Sequence, residues 1–303
     1  MPDPHEPEIP QDVPPEEELP VEEVEEEAGS GALRSFLGLF VVPLLVVLLC
    51  VAIFTGFGWI AYDRQSTRDY LNDLESGWKP RRVQAAYELS KILVSDPKAL
   101  EKEEGAKAQV RRLFQEADDA EMKRYLALVL GRTGDREAVP LLVQALENDD
   151  DRTRIYALWA LGILGDPQAR GPLTAALSDQ DAGIRKTAAF ALGELGDRSV
   201  IPSLQPLLDD AVTDVRWNAA LSLARLGSDA GVPVLESMLD RRLLAQVPDI
   251  TPEQQEEAML GAIRALARLG RPEHRALFER LAKDDPSYKV RQAAIEAGKV
   301  PVR

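Results

Sequence analysis

Two hydrophobic patterns divide the chain. From Ser35 to Tyr62 (SFLGLFVVPLLVVLLCVAIFTGFGWIAY) no position is charged and no polar face recurs. Beyond Arg64 apolar residues return every three or four positions, as in Ile155, Leu158, Leu161 and Leu164, which is the spacing of one face of an α-helix. The first pattern predicts a single transmembrane helix over residues 34–62, because its 28 uncharged residues exceed the roughly 20 that span a bilayer core. Trp59 and Tyr62 stand at its C-terminal end, where interfacial aromatics are expected. A signal peptide would open on a short basic stretch, whereas this segment follows a long acidic one.

The second pattern repeats. KRYLALVLGRTGD, RIYALWALGILGD, RKTAAFALGELGD and RWNAALSLARLGS align on Gly134, Gly165, Gly196 and Gly227, in steps of 31 residues. Lys123, Arg154, Arg185 and Arg216 keep the same step, as do Leu146, Leu177, Leu208 and Leu239. A fixed period of this size marks a solenoid. Each unit reads as two antiparallel helices. The first (A) carries an early proline, at Pro140, Pro172, Pro202 and Pro233, tolerated where no backbone hydrogen bond is lost. The second (B) ends at the aligned glycine, where a left-handed residue is wanted, and Asp135, Asp166 and Asp197 are placed to cap the next A helix. Gly270 lies 43 residues after Gly227, so about 12 residues are inserted within RRLLAQVPDITPEQQEEA. The expected fold is an all-α solenoid, an armadillo- or HEAT-like superhelix of about six to seven helix pairs over residues 66–298, with atypical end units.

The runs IRKTAAFALGELGD and VRWNAALSLARLGS resemble the HEAT-like repeats of phycobilisome-lyase type, and the resemblance covers nearly all of the chain after residue 65. It implies the solenoid fold. Some members of that group attach bilin chromophores, but the shared residues are packing and capping residues, and a fold alone does not carry a function. Deoxyhypusine hydroxylase, a second relative with this repeat, holds iron through His-Glu pairs. Here the only such dipeptide is His5-Glu6, and Glu273-His274 is reversed and single.

Charge refines the division. The net charge is −15, yet 12 of the 51 acids lie in residues 1–33, which contain no Lys or Arg. The remaining 39 acids nearly balance the 36 bases, so the repeat region offers no basic surface for nucleic acid. The Pro- and Glu-rich residues 1–33 read as a disordered tail. Cys50 is the only cysteine, and His5 and His274 are the only histidines, too few for a nucleophile–His–acid constellation or a Cys-based zinc site. No catalytic residue, cofactor or metal ligand is therefore expected.

The basic ladder of Lys123, Arg154, Arg185 and Arg216, with Arg291 following Asp284 and Asp285, is read as structural. Pairing with loop carboxylates would fix the register of the stack. Tyr156, Trp159, Lys186, Phe190 and Trp217 are the candidate partner-binding residues, since second helices of such repeats commonly line the binding face and aromatics act as anchors. The alternative is that the aromatics fill space between repeats. The expected function is a membrane-tethered protein–protein interaction scaffold without catalysis, with no small-molecule substrate. An accessory subunit or maturation factor of a membrane complex, or a bilin-lyase-like enzyme, are the alternatives. Arg64, Arg68, Lys79, Arg81 and Arg82 follow the apolar run and only Arg34 precedes it. The positive-inside rule then puts the repeats on the cytoplasmic side of a bacterial inner membrane, the opposite orientation being periplasmic.

Overall fold

The computed structural model describes residues 41–61 and 66–300. The chain divides into two compact units, Met1–Arg64 and Gln65–Arg303. The expected disordered tail, residues 1–33, lies outside the described residues.

In the first unit, helix α1 spans Val42–Ala61. Its described side chains, Pro43 to Thr55, are exposed, including Leu45, Leu49 and Phe54. Thr55 turns its hydroxyl back to Val51 O at 2.7 Å, so its polar group is satisfied within the helix. Among the described residues no helix is long and apolar enough to cross a membrane. Helix α1 has 20 residues, about 30 Å at ~1.5 Å per residue, and its side chains are described from Pro43 to Thr55. Of the transmembrane helix expected over 34–62, the described residues show a helix at Val42–Ala61 and no membrane-crossing span. The observed helix begins at Val42, and residues 34–40 and Tyr62 of that reading lie outside the described residues.

The second unit is all helical among its described residues. Seven pairs follow one another: α2 (Thr67–Ser76) with α3 (Lys79–Ser95), α4 (Ala106–Glu116) with α5 (Ala120–Arg132), and α6 (Val139–Asn148) with α7 (Asp151–Leu164). Then come α8 (Arg170–Ala175) with α9 (Ala182–Leu195), and α10 (Ile201–Leu204) with α11 (Thr213–Arg225). Next is α12 (Val232–Ser237) with α14 (Pro252–Leu269), separated by the short α13 (Arg241–Leu244), and last α15 (Arg275–Asp284) with α16 (Tyr288–Gly298). The B helices α3, α5, α7, α9 and α11 pack side by side in chain order.

Local chemistry sets the ends of these helices. Asp119 and Asp150 each accept two backbone N–H groups at the start of α5 and α7, and Asp181 accepts from Ile184 N at 2.9 Å in α9. Such caps satisfy donors that have no partner within the helix. The aligned glycines close the B helices: Gly165 and Gly196 stand at φ 63° and 76°, a left-handed conformation in which a side chain would clash with the backbone. Asp135, Asp166 and Asp197 do cap, but each caps a 3-10 turn that precedes the α-helical part of helix A. In the fifth pair Pro206 stands just past α10 and denies it a further backbone donor. The chain continues from Gln205 to Asp209 as a 3-10 turn.

A second set of small residues decides how closely the B helices approach. A Cβ built on Gly162 would lie 2.6 Å from Ala191 Cα, and one on Gly193 2.7 Å from Ser222 Cβ. Gly131 meets Ala160 in the same way. Each of these glycines sits three residues before a helix-ending one, so the stack from α5 to α11 keeps its backbones almost in contact. The step ends at Ala224, which occupies the next equivalent position. There the 12 inserted residues appear as α13, a loop and a B helix α14 lengthened to 18 residues. A Cβ on Gly261 of α14 would meet only the Leu221 side chain, at 3.7 Å. The buried core divides at the same place: one cluster runs from Leu71 to Leu226, the other from Ala220 to Ala297.

Candidate partner-binding face

The basic ladder lies along the seam between neighbouring units. Lys123 Nζ pairs with Asp149 at 2.7 Å. Arg154 pairs with Asp179 of the next loop and donates from Nε to Leu146 O at 2.9 Å. Arg185 grips Asp210 with two parallel hydrogen bonds, 2.8 Å and 3.0 Å, and its remaining nitrogen donates to Asp179 O at 2.8 Å. This fork is the strong form of a charged hydrogen bond. The Arg185 guanidinium holds the Asp210 carboxyl below its ordinary range, with Val212 N–H adding to the effect.

Past this point the pattern changes. Arg216 donates to Asp210 O, Ala211 O and Thr213 Oγ1 at 2.7–3.1 Å. Where a carboxylate would stand 31 residues after Asp210 there is Arg241, which forks onto Asp285 at 2.9 Å and 2.7 Å. Arg291 donates to the carbonyls of Asp285 and Pro286 at 2.7 Å and 3.0 Å.

A second ion-pair series, absent from the sequence reading, joins the capping aspartates to the preceding unit. Arg111 reaches Asp135, Arg136 reaches Asp166 at 3.4 Å, and Arg170 reaches Asp197 at 3.0 Å. The basic residues differ in their place within each unit, so no fixed step reveals them.

The five candidate partner-binding residues all stand on B helices and are all half-buried. Tyr156 and Trp159 are on α7, Lys186 and Phe190 on α9, and Trp217 on α11. The Arg132 guanidinium lies over the Trp159 ring, 4.3 Å from its centroid. This is within the range of a cation–π contact. Both Tyr156 and Trp159 also pack on the buried core, so they fill space between units and stay partly exposed. Lys186 Nζ pairs with Asp214 at 3.1 Å. The row continues toward the N-terminus through Tyr125 of α5 and Tyr87 of α3, whose rings meet edge to face at 5.3 Å. Burial raises the Tyr125 phenol above its ordinary pKa, and its hydroxyl donates toward Glu121 at 3.4 Å. Tyr87 lies 38 residues before Tyr125, off the 31-residue step, so periodicity does not find it.

At the C-terminal end of this row the B face opens into a cleft of about 490 Å³. Trp217 and Leu221 of α11, Met238, and Val247 and Ile250 of the inserted loop form its apolar lining. Asp214, Asp249, Glu253 and Glu257 are the charged residues that line it, and no Lys, Arg or His does. Asp249 turns the loop with φ 57°, a conformation that Asp tolerates better than most residues.

Among the described residues, no group of His, Cys, Asp and Glu is arranged to hold a metal ion. His274 is buried, with neither ring nitrogen hydrogen-bonded, and Nε2 stands 3.8 Å from Glu236. His5 and Glu6 lie outside the described residues.

The family described as HEAT repeats matches residues 110–185 and 170–245. HEAT repeats are thus present over residues 110–245. Among solved structures, the complex of CpcE and CpcF of phycocyanin lyase from Nostoc sp. PCC7120 is similar at 23% identity and TM-score 0.57, over 77% of this chain and 87% of that one. A designed armadillo repeat protein in complex with the peptide (KR)4 gives 20% identity and TM-score 0.43, over 78% of this chain and 100% of that one. Human deoxyhypusine hydroxylase gives 23% and 0.28, over 71% and 95%. No curated protein matches. At such identities the likeness to the lyase complex establishes the HEAT-like fold and leaves function to the residues themselves.

Proposed function

We propose that this HEAT-repeat protein is a protein–protein interaction scaffold without catalytic activity, held at a membrane by the apolar segment that precedes the repeats. The observation that carries the scaffold reading is the row of partly exposed aromatic side chains on consecutive B helices, from Tyr87 to Trp217. Large, rigid aromatics supply contact area at little cost in side-chain entropy, which is why they dominate binding hot spots. A stack of repeats extends such a row into a long surface. The test is crosslinking in the native cell followed by mass spectrometry. The unaltered chain should capture a protein that the double variant Tyr156→Ala, Trp159→Ala loses, while circular dichroism shows the variant folded. Retained capture would refute this face as the binding surface.

The tether rests on the sequence: 28 residues without a charge, bordered by Trp59, Tyr62 and the basic residues Arg64 and Arg68. The proposed site is a bacterial inner membrane with the repeats on the cytoplasmic side. The full chain should stay in the membrane pellet after alkaline carbonate washing, and a C-terminal reporter should be active only in the cytoplasm. Release into the supernatant would remove the tether, and a periplasmic signal would reverse the orientation.

An accessory subunit or maturation factor of a membrane complex is the second reading. It is favoured by the exposed apolar side chains of α1, Phe54 foremost at 79% exposure. Exchanging α1 for an unrelated membrane helix separates the two. Loss of partner capture on that exchange, with the aromatic row intact, would favour the subunit. A bilin-lyase-like activity would show as tetrapyrrole binding by the purified chain.

A further inference from the structure

We infer that the cleft between α11 and the inserted loop is the seat for a basic side chain, a lysine or arginine presented by an extended segment of the partner protein. This rests on the scaffold reading and names the chemistry of what the scaffold holds. The cleft exists because the repeat is interrupted. The close approach of B helices ends at Ala224, and the 12 inserted residues hold the N-terminal half of α14 away from α11. The resulting space of about 490 Å³ is within the range of sites that enclose a small group, yet larger than one side chain, leaving room for the flanking peptide.

Its chemistry is one-signed. Asp214, Asp249, Glu253 and Glu257 line it with no basic residue among them. Glu253 and Glu257 are one helical turn apart on α14, so two like charges share the helix face that lines the cleft. Lys186 lies outside the lining and pairs with Asp214 at 3.1 Å. Both partners are substantially exposed, and an ion pair of that kind is weak and exchangeable. Trp217, Leu221 and Met238 line the same cleft with apolar surface. An aliphatic stem with a charged head matches both kinds of lining: the methylenes suit the apolar side chains, while the head suits the carboxylates and the Trp217 ring.

The same charge argument rejects other occupants. The tail of residues 1–33, with 12 acids and no Lys or Arg, and any nucleic acid share the sign of the cleft. A metal ion finds no suitable group of ligands there.

The test uses the full chain in detergent and a positional-scanning octapeptide library in which one position is fixed in turn as each amino acid or as citrulline, the neutral isostere of arginine. Pools fixed with lysine or arginine should bind at least tenfold more tightly than pools fixed with citrulline or glutamate, and the difference should shrink in 0.5 M salt. The double variant Glu253→Gln, Glu257→Gln, altered only at exposed positions, should abolish the preference, and Trp217→Phe should retain it in part. Equal binding of arginine and citrulline pools, selection of acidic pools, or a preference unaffected by the glutamine variants would overturn the proposal. Crosslinking of the unaltered chain in the native cell, beside the Tyr156→Ala, Trp159→Ala variant, keeps the two readings apart. Capture by the unaltered chain that the Tyr156→Ala, Trp159→Ala variant loses, with no basic preference in the peptide pools, removes the cleft alone, whereas capture that the Tyr156→Ala, Trp159→Ala variant retains removes the scaffold face.

Discussion

The stack from α5 to α11 and the end from α11 to α16 are built from the same repeat, yet they solve packing differently. In the first, Gly131, Gly162 and Gly193 bring successive B helices so close that no Cβ fits between them, and the basic ladder ties each unit to the next loop. In the second, Ala224 replaces the glycine, the insertion lengthens α14, and Arg241 reaches 44 residues ahead to Asp285 to pair. The first region is a closed, register-locked spine. The second keeps an opening. A regular repeat thus supplies the rigid surface, and a single interruption supplies the shaped site on it, in keeping with the placement of function on segments that a rigid scaffold positions.

The largest effect separating the two regions should come from Gly162→Ala. Ala is normally the better helix former, but here its methyl would overlap the α9 backbone at Ala191. A loss of about 3 kcal/mol is expected in urea unfolding, the upper part of the range for overpacking a tight interface. A neutral or stabilising result would show that the close approach is not a constraint.

How much of this was legible in the sequence depends on what kind of contact a residue makes. The 31-residue step fixed the B-helix glycines and the ladder of Lys123, Arg154 and Arg185 because both recur in the four units that share the step. The left-handed conformations of Gly165 and Gly196 followed from their place at a helix end. Gly162 and Gly193 stand in the same motif, but their role is a contact with the next helix, which no local pattern states. The 3-10 turns before the A helices were not foreseen, since an Asp cap serves either helix type. Nor was the cleft: residues 240–251 have no counterpart in the period, and their meeting with Trp217 is a matter of tertiary path. The helix at Val42–Ala61 lies within the run of uncharged residues that suggested it.

Next in size is Arg185→Met. It removes a forked charge pair whose members are 17% and 11% exposed, and should cost about 2 kcal/mol at neutral pH, as for hydrogen bonds to charged groups. The pH dependence follows from Asp210, whose carboxyl the Arg185 guanidinium holds below its ordinary value of 3.8 in the folded chain. A depressed carboxylate stabilises the fold above its unfolded pKa, and that contribution is lost as pH falls through the folded value. The gap between the unaltered chain and Arg185→Met should therefore be full at pH 7 and close as the pH drops below about 3.8. Thermal melts from pH 7 to 2.5 check this, and a gap that stays constant would mean the pair does not hold the seam.

The smallest effect has the opposite sign. Gly261→Ala, on the open side, meets only a Leu221 methyl at ordinary contact distance and should stabilise by about 0.5–1 kcal/mol through the unfolded state. Urea midpoints for this variant and Gly162→Ala should move in opposite directions. If both move the same way, the two regions are packed alike and the comparison fails.

The central claim is that the B-helix face, and not the A-helix side, meets the partner. A photoreactive phenylalanine analogue placed singly at Trp159, Trp217, Gln168 or Gln205 in the full chain, followed by irradiation in the native cell, tests it most directly. The account predicts a crosslinked protein from positions 159 and 217 and none from the exposed A-side positions 168 and 205. Crosslinks arising from 168 or 205 alone would contradict it.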